Sequence, residues 1–223
     1  MDAGVVAVPA APLPHPRGEI DHGPRGQKRL ALTFDACSGP PPGKLDEGVL
    51  RELVSAHVPA TIFVGGRWAE QDPGRVKALL ADPLLELGTH SYHHPHLTRL
   101  SDAALRKELR RAIDVLVSQT GKPPRYLRAP YVEADARVVR IARELGLTLI
   151  GDDVASGDPD PHFGKARLTR WVLSQARGGS IVVMHINGGG KHTAEALPGI
   201  VDGLRAKGYE LVTVGQLLSN PAP

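Results

Sequence analysis

Four histidines stand within seven residues: His90, His93, His94 and His96. His90 and His94 are four apart, a spacing that puts two imidazoles on one side of a helical turn, where both reach one ion. Elsewhere the residues able to do chemistry are Asp35 with Cys37, Arg128 directly before Ala129-Pro130-Tyr131, the carboxylates Asp152, Asp153 and Asp158, and His185. Imidazoles with a carboxylate form the donor set of hydrolytic zinc sites, which keep one position open for water. A divalent metal polarises a carbonyl and acidifies water. A carboxylate then takes the water proton while an imidazole on the other side protonates the leaving group. An arginine beside the carboxylate favours its charged form. These residue types point to metal-assisted hydrolysis of an amide or ester. Each also has a plainer reading: Asp35 as a turn cap, His90 and His94 as solvated loop side chains, Arg128 as a surface ion-pair partner. Cys37 is read as a small packed thiol, because no cysteine-enzyme signature surrounds it. His185 follows a wholly apolar run, an awkward place for a histidine without a role.

What unites these residues is their placement on the elements around them. From Leu30 onward, short apolar runs alternate with stretches of helical period. Strands are expected at Leu30 to Phe34, Ala60 to Val64, Leu84 to Gly88, Arg125 to Arg128, Leu147 to Ile150, Ser180 to Met184 and Tyr209 to Thr213. Asp46 is placed to start a first helix, and Ser101 opens a long one that Gly121 ends. The reactive residues follow the C-terminal ends of five of these strands, the rim where parallel α/β folds assemble their sites. The expected fold class is therefore α/β, a distorted and incompletely closed (β/α) barrel of about seven parallel strands. At 223 residues the chain is short of the roughly 250 that a complete eightfold barrel takes.

Composition narrows the function further. The chain is 41% hydrophobic and 23% charged, enough for one substantial core. A single cysteine excludes a disulfide framework and a paired-cysteine zinc finger. The net charge of +3 is scattered among acids, which argues against a nucleic-acid partner. Lack of a long apolar run argues against a transmembrane segment. Residues 1–28 are proline-rich and aperiodic and are expected to form an N-terminal extension, with the domain at 29–219 and a tail at 220–223. Val5, Val6 and Val8 have no basic stretch before them, which gives a signal peptide little support.

From about Lys28 to Leu218 the order of motifs resembles the polysaccharide deacetylases of the NodB-homology type, carbohydrate esterase family 4. Leu32-Thr-Phe-Asp35 is similar to the first motif, whose aspartate is the family's general base. His90-Ser-Tyr-His-His94-Pro95 resembles the second, which supplies two metal histidines. Arg128-Ala-Pro-Tyr131 resembles the third, whose arginine orients the base and whose aromatic residue lines the groove. Ile181-Val-Val-Met-His185 resembles the fifth, with the general acid. The resemblance implies zinc, or another divalent transition metal, and loss of an N-acetyl group from an amino-sugar polymer or oligomer. It also implies an acetylated glycan as partner, stacking at Tyr131, Tyr92 and Trp68, and export to the periplasm, cell wall or exterior, with a cytoplasmic location as the alternative. The Tyr131 N–H is implied as an oxyanion donor.

Two positions depart from the family. Where a second aspartate usually binds the metal, this chain has Ala36, in an Asp-Ala-Cys variant of the first motif. Asp46 is the candidate replacement beside His90 and His94; the alternatives are that Asp46 only caps its helix, or that Asp35 itself binds the metal. In the fourth motif Ala155 and Pro159 replace an aspartate and a tryptophan, and Asp153 is the nearest substitute carboxylate to orient His185. O-acetyl ester cleavage, a small-molecule amidohydrolase and a carbohydrate-binding pseudoenzyme are the other readings.

Overall fold

The computed structural model describes residues 18–39 and 43–219; the first seventeen residues of the expected extension and the tail at 220–223 lie outside them. The strands are β1 (Arg29–Ala36), β2 (Ala60–Val64), β3 (Leu85–Thr89), β4 (Tyr126–Leu127), β5 (Thr148–Leu149), β6 (Val154–Ala155), β7 (Ile181–His185) and β8 (Glu210–Leu211). Seven form one parallel path in the order β5-β4-β3-β2-β1-β7-β6, and β8 pairs β1 at its start. No pairing joins β5 to β6, so the sheet curls into an incompletely closed barrel, as expected.

The helices are α1 (Glu47–Ser55), α2 (Gly66–Gln71), α3 (Pro73–Leu80), α4 (Asp102–Thr120), α5 (Ala136–Glu144), α6 (Lys165–Gln175), α7 (Thr193–Ala206) and α8 (Val214–Leu218). Ser101 Oγ accepts the Ala104 N–H to open α4, and Gly121 closes it at φ 74°, a left-handed cap that glycine adopts without strain. The largest core cluster joins β1, β2 and β7 to α1, α2 and α7 through Leu32, Phe34, Leu53, Ile62, Trp68, Met184 and Leu197.

Three elements were absent from the sequence pattern, α2, α8 and β6. The Gly65-Gly66 pair closes β2 and also starts α2, with Gly66 packed so closely on Tyr92 that a Cβ would lie 2.7 Å from the ring. Strand β6 has only two residues, too few to show a period. Part of the N-terminal segment pairs with the sheet. Residues 18–28 belong to the barrel: Ile20 pairs with Ile150 beyond β5, while His22 pairs with Ser180 before β7. This segment spans the gap that the strands leave open.

Candidate active site

Side chains alternate across a strand. Leu32, Phe34 and Ala36 of β1 pack into the core shared with the helices, leaving Thr33 and Asp35 on the interior face. Arg128, fully buried just after β4, joins those two. Its Nη1 donates to Thr33 Oγ1 at 2.7 Å and to Asp35 Oδ1 at 3.1 Å, and Nη2 donates to the Gly151 carbonyl at 2.9 Å. The guanidinium also lies over the Phe63 ring, 4.2 Å from its centroid. Burial alone would raise the Asp35 carboxyl, but the charges of His90, Arg128 and His185 outweigh it and hold Asp35 below its ordinary value. Asp35 is thus an oriented carboxylate, able to take a proton.

His185 stands beside Asp35 in register on β7. Its backbone N–H donates to Asp158 Oδ2 at 2.7 Å, and its Nδ1 pairs with Asp158 Oδ1 at 2.9 Å. Asp158 is buried and held by Ser156 Oγ and Thr193 Oγ1, which donate at 3.1 and 2.6 Å. Burial disfavours the His185 cation, yet hydrogen bonds to Asp158 and Cys37 and the charges of Asp158 and Asp35 push it up to about 11. Near neutral pH the ring therefore carries a proton on the nitrogen opposite Asp158, which is the state a general acid needs. Gly189 lies against this ring, where a Cβ would stand 2.7 Å from it.

Beside the carboxylate, with His90 Nε2 3.9 Å from Asp35 Oδ2, lies a cluster that sequence reasoning only half found. Ligand atoms of Cys37, His90 and His94 all lie within 4.8 Å of one another, and they alone make such a group of three among the described residues. Cys37 Sγ is 3.7 Å from His90 Nε2. A tetrahedral zinc with bonds of about 2.3 Å to sulfur and about 2.0 Å to nitrogen needs those atoms about 3.5 Å apart, so this sulfur–nitrogen pair fits the metal. His90 Nδ1 bonds the Arg128 carbonyl at 3.0 Å, which leaves Nε2 free for the cluster. Burial disfavours the His90 cation, but Asp35 and Cys37 override it and raise its proton affinity, and the same negative field draws a metal ion. For Cys37, burial pushes the thiol up and three imidazoles, His185, His90 and His94, bring it down to about 4.

The His90 to His94 spacing does bring both rings to one place, though not on a helix. Ser91 and His94 take left-handed φ values of 61° and 68°, uncommon for residues with side chains and costly unless the surroundings hold them. Ser91 Oγ holds the bend by accepting the His94 N–H at 3.1 Å.

Several sequence expectations are corrected. Asp46 is a helix cap: its Oδ1 accepts the Gly48 and Val49 N–H groups at 2.9 and 3.1 Å, and it is not among the converging donors. Cys37 occupies the third position and is not merely a packed thiol. The signal was present in the two-residue period, which returns Cys37 to the face of Asp35 and turns Ala36 away. Asp153 does not orient His185. It accepts the Ile181 N–H at 2.8 Å at the far end of β7 and pairs with Arg25 at 2.8 Å. Trp68 is fully buried with its indole N–H on the Gly43 carbonyl, and Tyr92 is buried with its hydroxyl on Glu70 and Arg111 across its ring. Neither offers a face to a ligand. Tyr131 does: it is 54% exposed, stacks on His96 with centroids 4.0 Å apart, and meets His94 edge-on. Asp152 has one buried oxygen without a hydrogen bond, and burial lifts its carboxyl to about 6 against the pull of Arg128.

The sequence profile described as polysaccharide deacetylase matches residues 22–150, more than half of the chain. The chain belongs to this family. Among similar deacetylases is a peptidoglycan N-acetylglucosamine deacetylase of Listeria monocytogenes, 36% identical over 191 residues, which cover 85% of this chain and 39% of that protein. The chain thus spans well under half of that relative's length. A chitin deacetylase of Colletotrichum lindemuthianum is 27% identical over 202 residues, covering 86% of this chain and 79% of its own. In structure the chain is similar to a family 4 carbohydrate esterase from Bacillus anthracis described as a pseudoenzyme. That pair has a TM-score of 0.80 and 26% identity, over 91% of this chain and 69% of the other.

Proposed function

We propose that this chain carries a metal-dependent hydrolase that removes N-acetyl groups from amino-sugar polymers or oligomers of the chitin or peptidoglycan type and releases acetate. The observation that carries this reading is the arrangement of two proton-transfer groups on neighbouring strands, Asp35 oriented by Arg128 and His185 oriented by Asp158, beside the Cys37, His90 and His94 donors. Zinc is the proposed metal. When bound, it supplies a Lewis acid that acidifies water and polarises the acyl oxygen.

The residues account for the rest. Asp35 takes a proton from water as the water oxygen bonds the acetyl carbon. Arg128 keeps Asp35 ionised and fixed through Oδ1, leaving Oδ2 for that proton. His185 gives its proton to the nitrogen as the carbon–nitrogen bond breaks, so acetate and a free amine leave. Asp35 and the imidazole then exchange protons with solvent and return to their starting states. The Tyr131 N–H is the proposed donor to the developing oxyanion, and its exposed ring is available to a sugar. Such glycans lie outside the cytoplasm, so export goes with the substrate.

Ala36, at the position of the family's usual second aspartate, favours a second reading, a glycan-binding protein without turnover. The buried Asp35–Arg128 and His185–Asp158 pairs argue against it, because binding requires neither an oriented base nor a protonated acid. Incubation with N-acetylglucosamine oligomers, acetylated peptidoglycan fragments, acetyl esters and small acetamides, followed by mass spectrometry, separates the readings. Loss of acetyl groups from the glycan amides is expected. Loss only from esters or small amides would transfer the activity to those substrates, and intact products throughout with tight oligomer binding would favour the pseudoenzyme.

A further inference from the structure

We propose that Cys37 sets the metal preference of this site, making it a thiolate–imidazole seat that takes zinc, cobalt(II) or cadmium and discriminates against manganese and magnesium. The proposal rests on the reading of the site as a metal hydrolase and deepens it. Three observations carry it. The sulfur is the third donor, with no carboxylate among the converging atoms. It lies 3.7 Å from His90 Nε2, close to the separation that a common tetrahedral ion imposes. Its position is built: Asn187 Nδ2 donates to the Cys37 carbonyl at 2.9 Å, and Asn187 Oδ1 in turn accepts the Gly189 N–H at 3.1 Å. Cys37 therefore hangs from the same loop that packs on His185.

Of the carboxylates near the cluster, Asp46 and Asp158 are engaged elsewhere and Asp35 has one oxygen held. Asp35 Oδ1 is held by Arg128, and its Oδ2 is 3.9 Å from His90 Nε2. Asp46 caps α1, and Asp158 holds His185. A hard cation seeking several oxygen ligands finds a single carboxylate oxygen, Asp35 Oδ2, beside the histidines, whereas a thiophilic ion of low coordination number finds sulfur and nitrogen in place. The sulfur also gives the metal site a spectroscopic signature that a carboxylate site lacks.

The test loads chelator-stripped, reduced full-length protein with cobalt(II) and records its absorption, then titrates in zinc, cadmium, manganese or magnesium. The expected result is a near-ultraviolet sulfur-to-cobalt charge-transfer band, erased by zinc and cadmium and untouched by manganese and magnesium. Outer-shell changes already cost about 10–100-fold in metal affinity, so Cys37→Ser should lose the band and at least about 100-fold in zinc affinity. Cys37→Asp should lose the band and gain manganese binding. Cobalt bound one-to-one without that band would overturn the proposal on the unmodified protein alone, whether or not the variants fold. So would zinc affinity unchanged in folded Cys37→Ser. Acetate release by a zinc-loaded protein lacking the band would leave the hydrolase standing and remove only the sulfur. The band without acetate release would do the reverse.

Discussion

Asp153 and Asp158 are five residues apart and serve opposite ends of β7. Asp158 meets His185 at the rim, and Asp153 meets Ile181 and Arg25 at the strand's start. Proximity in sequence pointed to Asp153 because nothing in the pattern revealed β6, whose Val154 and Ala155 carry the chain up alongside β7 between the two acids. Removing each acid should therefore give different phenotypes. Asp158→Asn should lower kcat by about 100-fold, the low end of a general-acid contribution. Asp158 raises the His185 proton affinity, so its loss lets the ring deprotonate at lower pH, and the alkaline limb of the rate profile should move down from about 11. The acid limb reports Asp35, which stays ionised below the ordinary carboxylate range, and it should not move. A pH–rate profile of the two proteins checks both limbs. Asp153→Ala should leave kcat within twofold or so and cost about 1–3 kcal/mol, the penalty for stranding buried donors, read from urea unfolding. At this scale the sequence revealed the types of the proton-transfer residues but not the sulfur, because an apolar reading of a single cysteine hides its place on the face of Asp35.

Among the elements, the N-terminus of α1 and the bend after β3 separate stability from chemistry. Asp46 was legible as a helix start, and its side chain does that work on two N–H groups. Asp46→Ala should cost about 1 kcal/mol, lowering Tm by about 2–4 °C in a domain of this size, with zinc affinity by calorimetry unchanged. A fall in zinc affinity of tenfold or more would restore Asp46 as a ligand. The bend at Ser91 and His94 was not legible, since left-handed residues with side chains leave no periodic trace; only the tertiary fit makes the conformation tolerable. The long helix opened by Ser101 was legible to its caps, because serine and glycine each satisfy helix-end groups locally. The two-residue strands at the barrel's edges were blurred, as they hold too little pattern to fix their ends.

The barrel class was readable from its alternating periods, and its incomplete closure from the chain's length, but β6 and the closure device were not. Residues 18–23 look like aperiodic leader in sequence, yet Ile20 and Gly23 bond across to Leu149, Gly151 and Gly179. Their pattern is set by the two strand ends they bridge and not by a period of their own. Ile20 is buried in one core cluster with Phe63, Val212 and Leu217. Ile20→Ala should cost about 2–3 kcal/mol, within the range for buried isoleucine truncation, measured by urea unfolding; a loss under about 0.5 kcal/mol would mean that this segment does not help hold the barrel. The rim chemistry is a property of the assembled molecule too, since Asp35, Arg128, Asp158 and His185 come from four different parts of the chain and meet only in the fold. The measurement that tests this most directly is acetate release from N-acetylglucosamine oligomers by chelator-stripped protein before and after zinc is restored, with Asp35→Asn run alongside. Release that returns with zinc in the unmodified protein and stays absent in Asp35→Asn is the expected result. Zinc-loaded, folded protein that releases no acetate from any acetylated glycan, or a variant that releases it as fast as the original, would contradict the mechanism built on these residues.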